Sequence, residues 1–303
     1  MSSPLLPMPA GSRTGRVYVG AGALAPLVGP RESTRVSWHQ AVERAVVFMR
    51  ERMANPLRLD ELAHAALLSP YHFNRVFRLV TGIPPGQFLT ALRMAEAKRL
   101  LLTTSQRVTD VCFAVGFESL GTFTTRFGQL VGVAPQELRR LAERHGRRLV
   151  TYLAAADADE HPSVHCVRGW LEPPPGESCV TLVGVFDRAV PQGMPSACDV
   201  VARTPGSFCV PGVAPGRHHV LAVGFPLAQT LLDATLLEPH RLVVGALSEP
   251  VSVEPGGEVW VHLLMDLPGA IGPPIVLAAP LLAAEAKAHA WSSVQPDSMA
   301  RTA

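Results

Sequence analysis

The 303-residue chain has no CxxC pair, no long apolar run and no strong net charge. Its five cysteines, Cys112, Cys166, Cys179, Cys198 and Cys209, are odd in number and scattered. That excludes a disulfide framework and predicts small, buried apolar side chains. No stretch is continuous enough to span a bilayer. Pro4, Pro7 and Pro9 interrupt Leu5, Leu6 and Met8, and no positive region precedes a long apolar run, so the first residues do not form a signal peptide. The expectation is a cytoplasmic protein with no membrane partner. Zinc-type ligand spacing is missing, so neither a metal nor a cofactor is expected. His161, His165 and Cys166 cluster in sequence, and His218 adjoins His219. Neighbours on a strand point to opposite faces, however, so the adjacent pair does not share one ion. Ser207 lacks the GxSxG setting of a nucleophile. No catalytic residue is assigned, and the chain is read as not an enzyme.

The total charge of +2 hides an asymmetry. Trp38 to Arg148 carries 16 basic and 9 acidic residues, whereas Leu149 to Ala303 carries 7 basic and 15 acidic. A basic block beside an acidic one predicts that only the first meets a polyanion. Composition divides the chain further. Residues 1–36, rich in Pro, Gly, Ser and Ala, read as a flexible arm, with Val17, Tyr18 and Val19 as a possible short strand. Residues 37–148 read as almost wholly helical and 149–161 as a linker. Residues 162–290 hold short Val- and Leu-rich runs cut by turns such as Pro205-Gly206 and Pro215-Gly216, which is the pattern of a small β-sandwich, with a helix near Leu281–Ala290. Residues 291–303 read as a tail. The fold class is therefore α+β multidomain: an all-α part followed by a small all-β sandwich.

An internal repeat lies in the basic block. Ser69-Pro70-Tyr71-His72-Phe73-Asn74-Arg75-Val76-Phe77 matches Ser119-Leu120-Gly121-Thr122-Phe123-Thr124-Thr125-Arg126-Phe127, with Ser, Phe and Phe recurring fifty positions apart. Gly82-Ile83-Pro84-Pro85 matches Gly132-Val133-Ala134-Pro135. A short apolar helix precedes each copy, at Leu59–Leu67 and Val108–Val115. Ser69 is a good N-cap and Pro70 suits the first helical position. Phe73, Val76, Phe77 and Val80 form one buried stripe. Gly82 can take the left-handed terminating conformation, and Pro84 blocks continuation. Two short helices joined by a tight turn make a helix-turn-helix, here present twice.

At 100° per residue, the Phe73 stripe leaves Tyr71, Arg75 and Arg78 on the opposite face, with Asn74 at its edge. Such a face suits a major groove, where Arg pairs twice with guanine and Asn twice with adenine. The competing reading is a solvated face on a core helix. Duplication of the unit inside a basic block favours double-stranded DNA. In the second unit Phe123, Phe127 and Leu130 form the stripe and the opposite face holds Gly121, Thr125 and Gly128, with Arg126 on a flank. That face has no charge at its centre. Ser119, Thr122 and Thr125 offer hydroxyls to phosphates or base edges. The first unit is expected to supply most base contacts. Gln87–Leu102, with Phe88, Leu92, Ala95 and Leu100, reads as one continuous helix that fixes the spacing between the units. Arg93, Lys98, Arg99 and Arg107 on or beside it read by default as solvated charges, with phosphate contact as the alternative.

Leu59-Asp60-Glu61-Leu62-Ala63, the first repeat, Thr81–Leu89, Arg93-Met94-Ala95-Glu96-Ala97-Lys98-Arg99-Leu100-Leu101, Val115-Gly116-Phe117-Glu118-Ser119, Phe123, Phe127, Gly132-Val133-Ala134-Pro135 and Leu138-Arg139-Arg140 together resemble the AraC/XylS family of transcription regulators over about a hundred residues. The resemblance implies a bacterial DNA-binding regulator, usually an activator that touches RNA polymerase. It places base contacts on Tyr71, Asn74 and Arg75, and on Gly121, Thr122 and Thr125. The chain departs from the pattern at Gly121, where the family often has a polar residue, and at Thr125, where it often has arginine; the basic residue here is moved to Arg126. Many members carry the DNA-binding part C-terminally, whereas here it is nearly N-terminal. The region from His165 to Leu267 loosely resembles the transthyretin-like sandwich of carboxypeptidase regulatory domains, which implies seven strands and no catalysis. Sensing of a small-molecule effector and association into a homodimer are the roles open to it. The alternatives are a non-specific, nucleoid-type DNA-coating protein and a DNA-repair enzyme bearing an AraC-like domain. The cysteines lack the proline-cysteine-histidine motif of the latter.

Overall fold

The computed structural model describes residues 32–154, 165–187, 193–237, 241–247, 249–267, 271–272 and 274–294. The strand at 17–19, His161, most of the expected arm and linker, and the end of the tail lie outside them. Helix α1 (Glu32–Arg52) already includes the last residues of the expected arm. It is followed by α2 (Leu59–Ala65), α3 (Pro70–Thr81), α4 (Pro85–Thr103), α5 (Val108–Ala114), α6 (Leu120–Val131) and α7 (Pro135–His145). After a short α8 (Thr151–Ala154) the chain becomes mainly β: β1 (Cys166–Glu172), β2 (Cys179–Phe186), β3 (Ala197–Val201), β4 (Gly206–Pro211) and β5 (Gly216–Pro226). Then come α9 (Leu231–Leu236), β6 (Val243–Ala246), β7 (Val251–Val253), β8 (Glu258–Leu264) and a long final helix, α10 (Ala279–Val294).

The strands form two sheets. One has the order β4-β1-β8, with β1 antiparallel to β4 but parallel to β8. The other runs β3-β2-β5-β6, with β7 also paired to β5. The eight strands among the described residues, with a parallel pair, depart from the expected seven-stranded sandwich. Val167, Leu171, Val183, Val185, Val220 and Val261 fill the space between the sheets.

The larger sheet is buried on both faces. Val183 and Val220 point toward the smaller sheet, whereas Val180 and Phe225, on the same two strands, point toward the helices. This explains why β2 reads Cys-Val-Thr-Leu-Val-Gly-Val-Phe without polar alternation. Three apolar cores result. Met49, Phe73, Phe77 and Phe88 lie in one built from α1–α4. The second helical unit has no core of its own: Phe123, Phe127, Leu138 and Leu141 share one with Val180, Phe225, Leu231, Leu281 and Ala284. The start of the expected linker belongs to that core, since Val150 is fully buried and its N–H donates to the Gln229 carbonyl. The apolar residues Val150 and Leu153 outweigh the loop-like composition around them.

Helix α10 docks on α7 through a cluster of charges. His145, almost fully buried, bonds through Nε2 to Glu285 Oε2 at 2.6 Å, and Arg144 pairs with the same carboxylate. His289 stands 3.1 Å from Glu285 Oε1, and Glu137 holds Arg144 from the other side. The His145 hydrogen bond is the largest influence on Glu285 and holds its carboxyl below the usual range; burial opposes it and Arg144 reinforces it. A carboxyl with a depressed folded pKa adds stability above its unfolded pKa, and that stability is lost as pH falls through the folded value. Glu285→Gln is therefore expected to lower Tm at neutral pH, with the gap to the parent closing on acidification. Thermal melts from pH 7 downward check this; a gap of constant size contradicts it.

Candidate nucleic-acid interface

Helix α3 opens at Ser69 and Pro70 and ends at Gly82, whose φ of 79° is the left-handed cap its position predicts. Pro70 starts the helix without help from the Ser69 hydroxyl, which makes no capping bond. Phe73, Val76 and Phe77 are buried, and Val80 is half-buried at the end of the stripe. On the opposite side Tyr71 is 84% exposed, and Asn74, Arg75 and Arg78 are exposed with it. Among the described residues no salt bridge or side-chain hydrogen bond ties down Asn74, Arg75 or Arg78. The donors that could read a base edge are thus not spent within the protein.

Helix α6 repeats the plan. Ser119 caps it, its Oγ accepting from the Thr122 N–H at 3.4 Å, and Gly132 ends it at φ 98°. Phe123, Phe127 and Val131 are buried and Leu130 is half-buried. Ser119, Gly121, Thr122, Thr125 and Arg126 are all exposed. The structure therefore gathers the nine sequence-derived candidates onto the outer faces of two corresponding helices.

The turns before these helices differ in a way that matters energetically. Both need a positive φ. The second has Gly116 at 81°, and a Cβ there would lie 2.7 Å from the Met53 and Ala54 carbonyl oxygens, so this turn seats against the end of α1. The first has Leu67 at 59°, with 74% of its surface exposed. Leucine in this conformation is strained by about 1 kcal/mol or more, and its exposed side chain recovers little of that. Leu67→Gly is expected to stabilise the chain by up to about 1 kcal/mol, glycine's unfolded-state entropy offsetting part of the relief. Urea denaturation tests it, and a loss of stability would show that the Leu67 side chain packs usefully.

Two basic residues read as solvated have other work. Arg93 is half-buried and donates from Nε to the Met53 carbonyl at 2.8 Å and from Nη2 to the Asn55 carbonyl at 2.9 Å. It ties α4 to the end of α1, and burial pulls its pKa down from the ordinary arginine value. Lys98 is 5% exposed, with Nζ donating to the Ile275 carbonyl at 3.1 Å. Arg99 pairs with Glu96 at 2.6 Å, and Arg107 remains exposed at the start of α5. Arg139, which entered the family resemblance without a role of its own, donates to the Leu101 and Thr104 carbonyls and fastens the end of α4. Carbonyls near a helix end attract such residues because they have no intrahelical donor.

The cysteines divide. Cys112, Cys166 and Cys179 are buried as expected; Cys198 is exposed and Cys209 partly so, which corrects the expectation that all are buried. Both lie on β3 and β4, where alternate residues face outward. His218 is buried, with Nε2 bonded to the Ala214 carbonyl, whereas His219 on the other face is partly exposed.

A family model described as a helix-turn-helix domain matches residues 62–141. The HTH-type transcriptional activator AarP of Providencia stuartii is 31% identical over 102 residues, covering 34% of this chain and 75% of that protein. The bifunctional transcriptional activator/DNA repair enzyme AdaA of Bacillus subtilis is 26% identical over 102 residues, covering 34% of this chain and 48% of that protein. A transcriptional regulator of Chromobacterium violaceum with an AraC-type DNA-binding domain has 26% identity and a TM-score of 0.33, with 35% of this chain and 94% of that one covered. Beyond AarP, the chain spans about a third to a half of the length of the curated relatives it matches. Likeness across three quarters of AarP, together with the helix-turn-helix match over residues 62–141, makes this chain a member of the AraC-type family of helix-turn-helix, DNA-binding transcription regulators.

Proposed function

We propose that the chain binds a specific double-stranded DNA site with α3 and α6 in successive major grooves. Tyr71, Asn74, Arg75 and Arg78 contribute base and phosphate contacts from α3. Ser119, Gly121, Thr122, Thr125 and Arg126 contribute close approach and weaker contacts from α6. The observation that carries this reading is the exposed polar face of α3, unpaired among the described residues and backed by a fully buried Phe73-Val76-Phe77 stripe. Rigid backing matters because a side chain reads a base only if its own position is fixed. Helix α4, with 19 residues, is about 28 Å long, close to the roughly 34 Å of one duplex turn. AarP is named an activator, and activation through contact with RNA polymerase is the regulatory role proposed here. The β layers are assigned to effector sensing or homodimer formation rather than to catalysis.

Selection from a pool of random duplexes tests the reading. Enrichment of one motif with two patches about ten base pairs apart is expected. Uniform binding that falls steeply with salt and enriches nothing would instead support a non-specific DNA-coating protein.

A further inference from the structure

We propose that the returning C-terminal segment, from Ile275 through α10, is a positioning device for the second reading helix, with Lys98 and Glu285 as its positioning residues. The inference rests on the two-reader function just given. Four contacts carry it. The Ala278 N–H donates to the Val131 carbonyl at 3.0 Å, at the last residue of α6. Just beyond, Gly132 is enclosed: a Cβ there would come within 2.7 Å of Leu282 and 3.0 Å of Leu277. Buried Lys98, on the helix that joins the two readers, holds the Ile275 carbonyl at 3.1 Å, and Glu285 grips Arg144 and His145 on α7.

The support is one-sided. Residues 38–92 make up the core behind α3 except for Ile271, which packs at its edge. The core behind α6 draws Val276, Ala278, Leu281 and Ala284 from the returning segment, together with Val180 and Phe225 from the sheet. The reader with the weaker face is thus the one held from outside its own unit. Gly121 and Thr125 offer no charge to seek a groove, so the contacts they make depend on α6 already standing in place. Preorganisation lowers the ordering cost that weak contacts would otherwise have to overcome.

The test uses the full chain, the selected duplex and a second duplex with the α6 half scrambled. Wild type is expected to bind the intact duplex at least fivefold more tightly and to protect both halves from hydroxyl radicals, on the order of 1 kcal/mol of discrimination. Lys98→Met and Glu285→Ala are expected to keep affinity for the half-scrambled duplex within about twofold. They should lose the preference for the intact one, with protection shrinking to the α3 half. Thermal melts identify any variant that fails to fold, and the other then decides. Equal losses on both duplexes, or no loss in a folded variant, overturn the proposal. If wild type itself shows no preference, the two-reader function fails and this inference falls with it.

Discussion

Phe225→Ala, a change on strand β5, is expected to destabilise the second helical unit by about 3–5 kcal/mol. Phe225 is 2% exposed and points away from the space between the sheets. Its ring belongs to the core that contains Phe123, Phe127 and Leu138. Removing it leaves a cavity in a close-packed interior, and the cost is the lost transfer energy plus the unfilled volume. Because helices and sheet share this core, the loss should not be confined to the β layers. Denaturant unfolding followed by far-ultraviolet circular dichroism should show the helical signal shifting with it. A helical transition left where it was would mean that the two regions unfold independently.

Arg75→Ala is expected to cost about 1–3 kcal/mol in affinity for the selected site, roughly 5- to 150-fold, and to relax preference at one base position. Stability should barely change, because Arg75 is exposed and its guanidinium has no partner among the described residues. Equilibrium binding to the selected duplex and to its single-base variants reads both effects. Equal weakening on every sequence would assign Arg75 to a phosphate instead.

Much of the two helical units was legible in the sequence because they depend on local rules. Ser69-Pro70 and Gly82 bracket α3, the 3.6-residue period orients it, and the repeat predicts α6 from α3. The failures share a physical cause. Lys98 resembles any lysine on an exposed helix until a carbonyl 177 residues away covers it. Val150 and Leu153 lie in a loop-like context, and their burial depends on partners such as Gln229 that no local pattern announces. The parallel pairing of β1 with β8 likewise joins segments about 90 residues apart. Strand existence followed from turn signals, but strand order did not, since pairing is set by how the inner faces fill. Leu67 is the opposite case: it stands one residue past the C-cap of α2, as Gly116 does past that of α5, but the turns differ in length and the fifty-residue offset pairs it with Phe117, so the repeat concealed its positive φ.

The central claim is that the outer faces of α3 and α6 are the surface that meets DNA. A crystal structure of the full chain on its selected duplex tests it most directly. Tyr71, Asn74 and Arg75 are expected against base edges in one major groove, with Gly121 and Thr125 lining the next on the same side of the duplex. A complex in which the α3 face looks into solvent, or in which the duplex lies against the β layers, would contradict it.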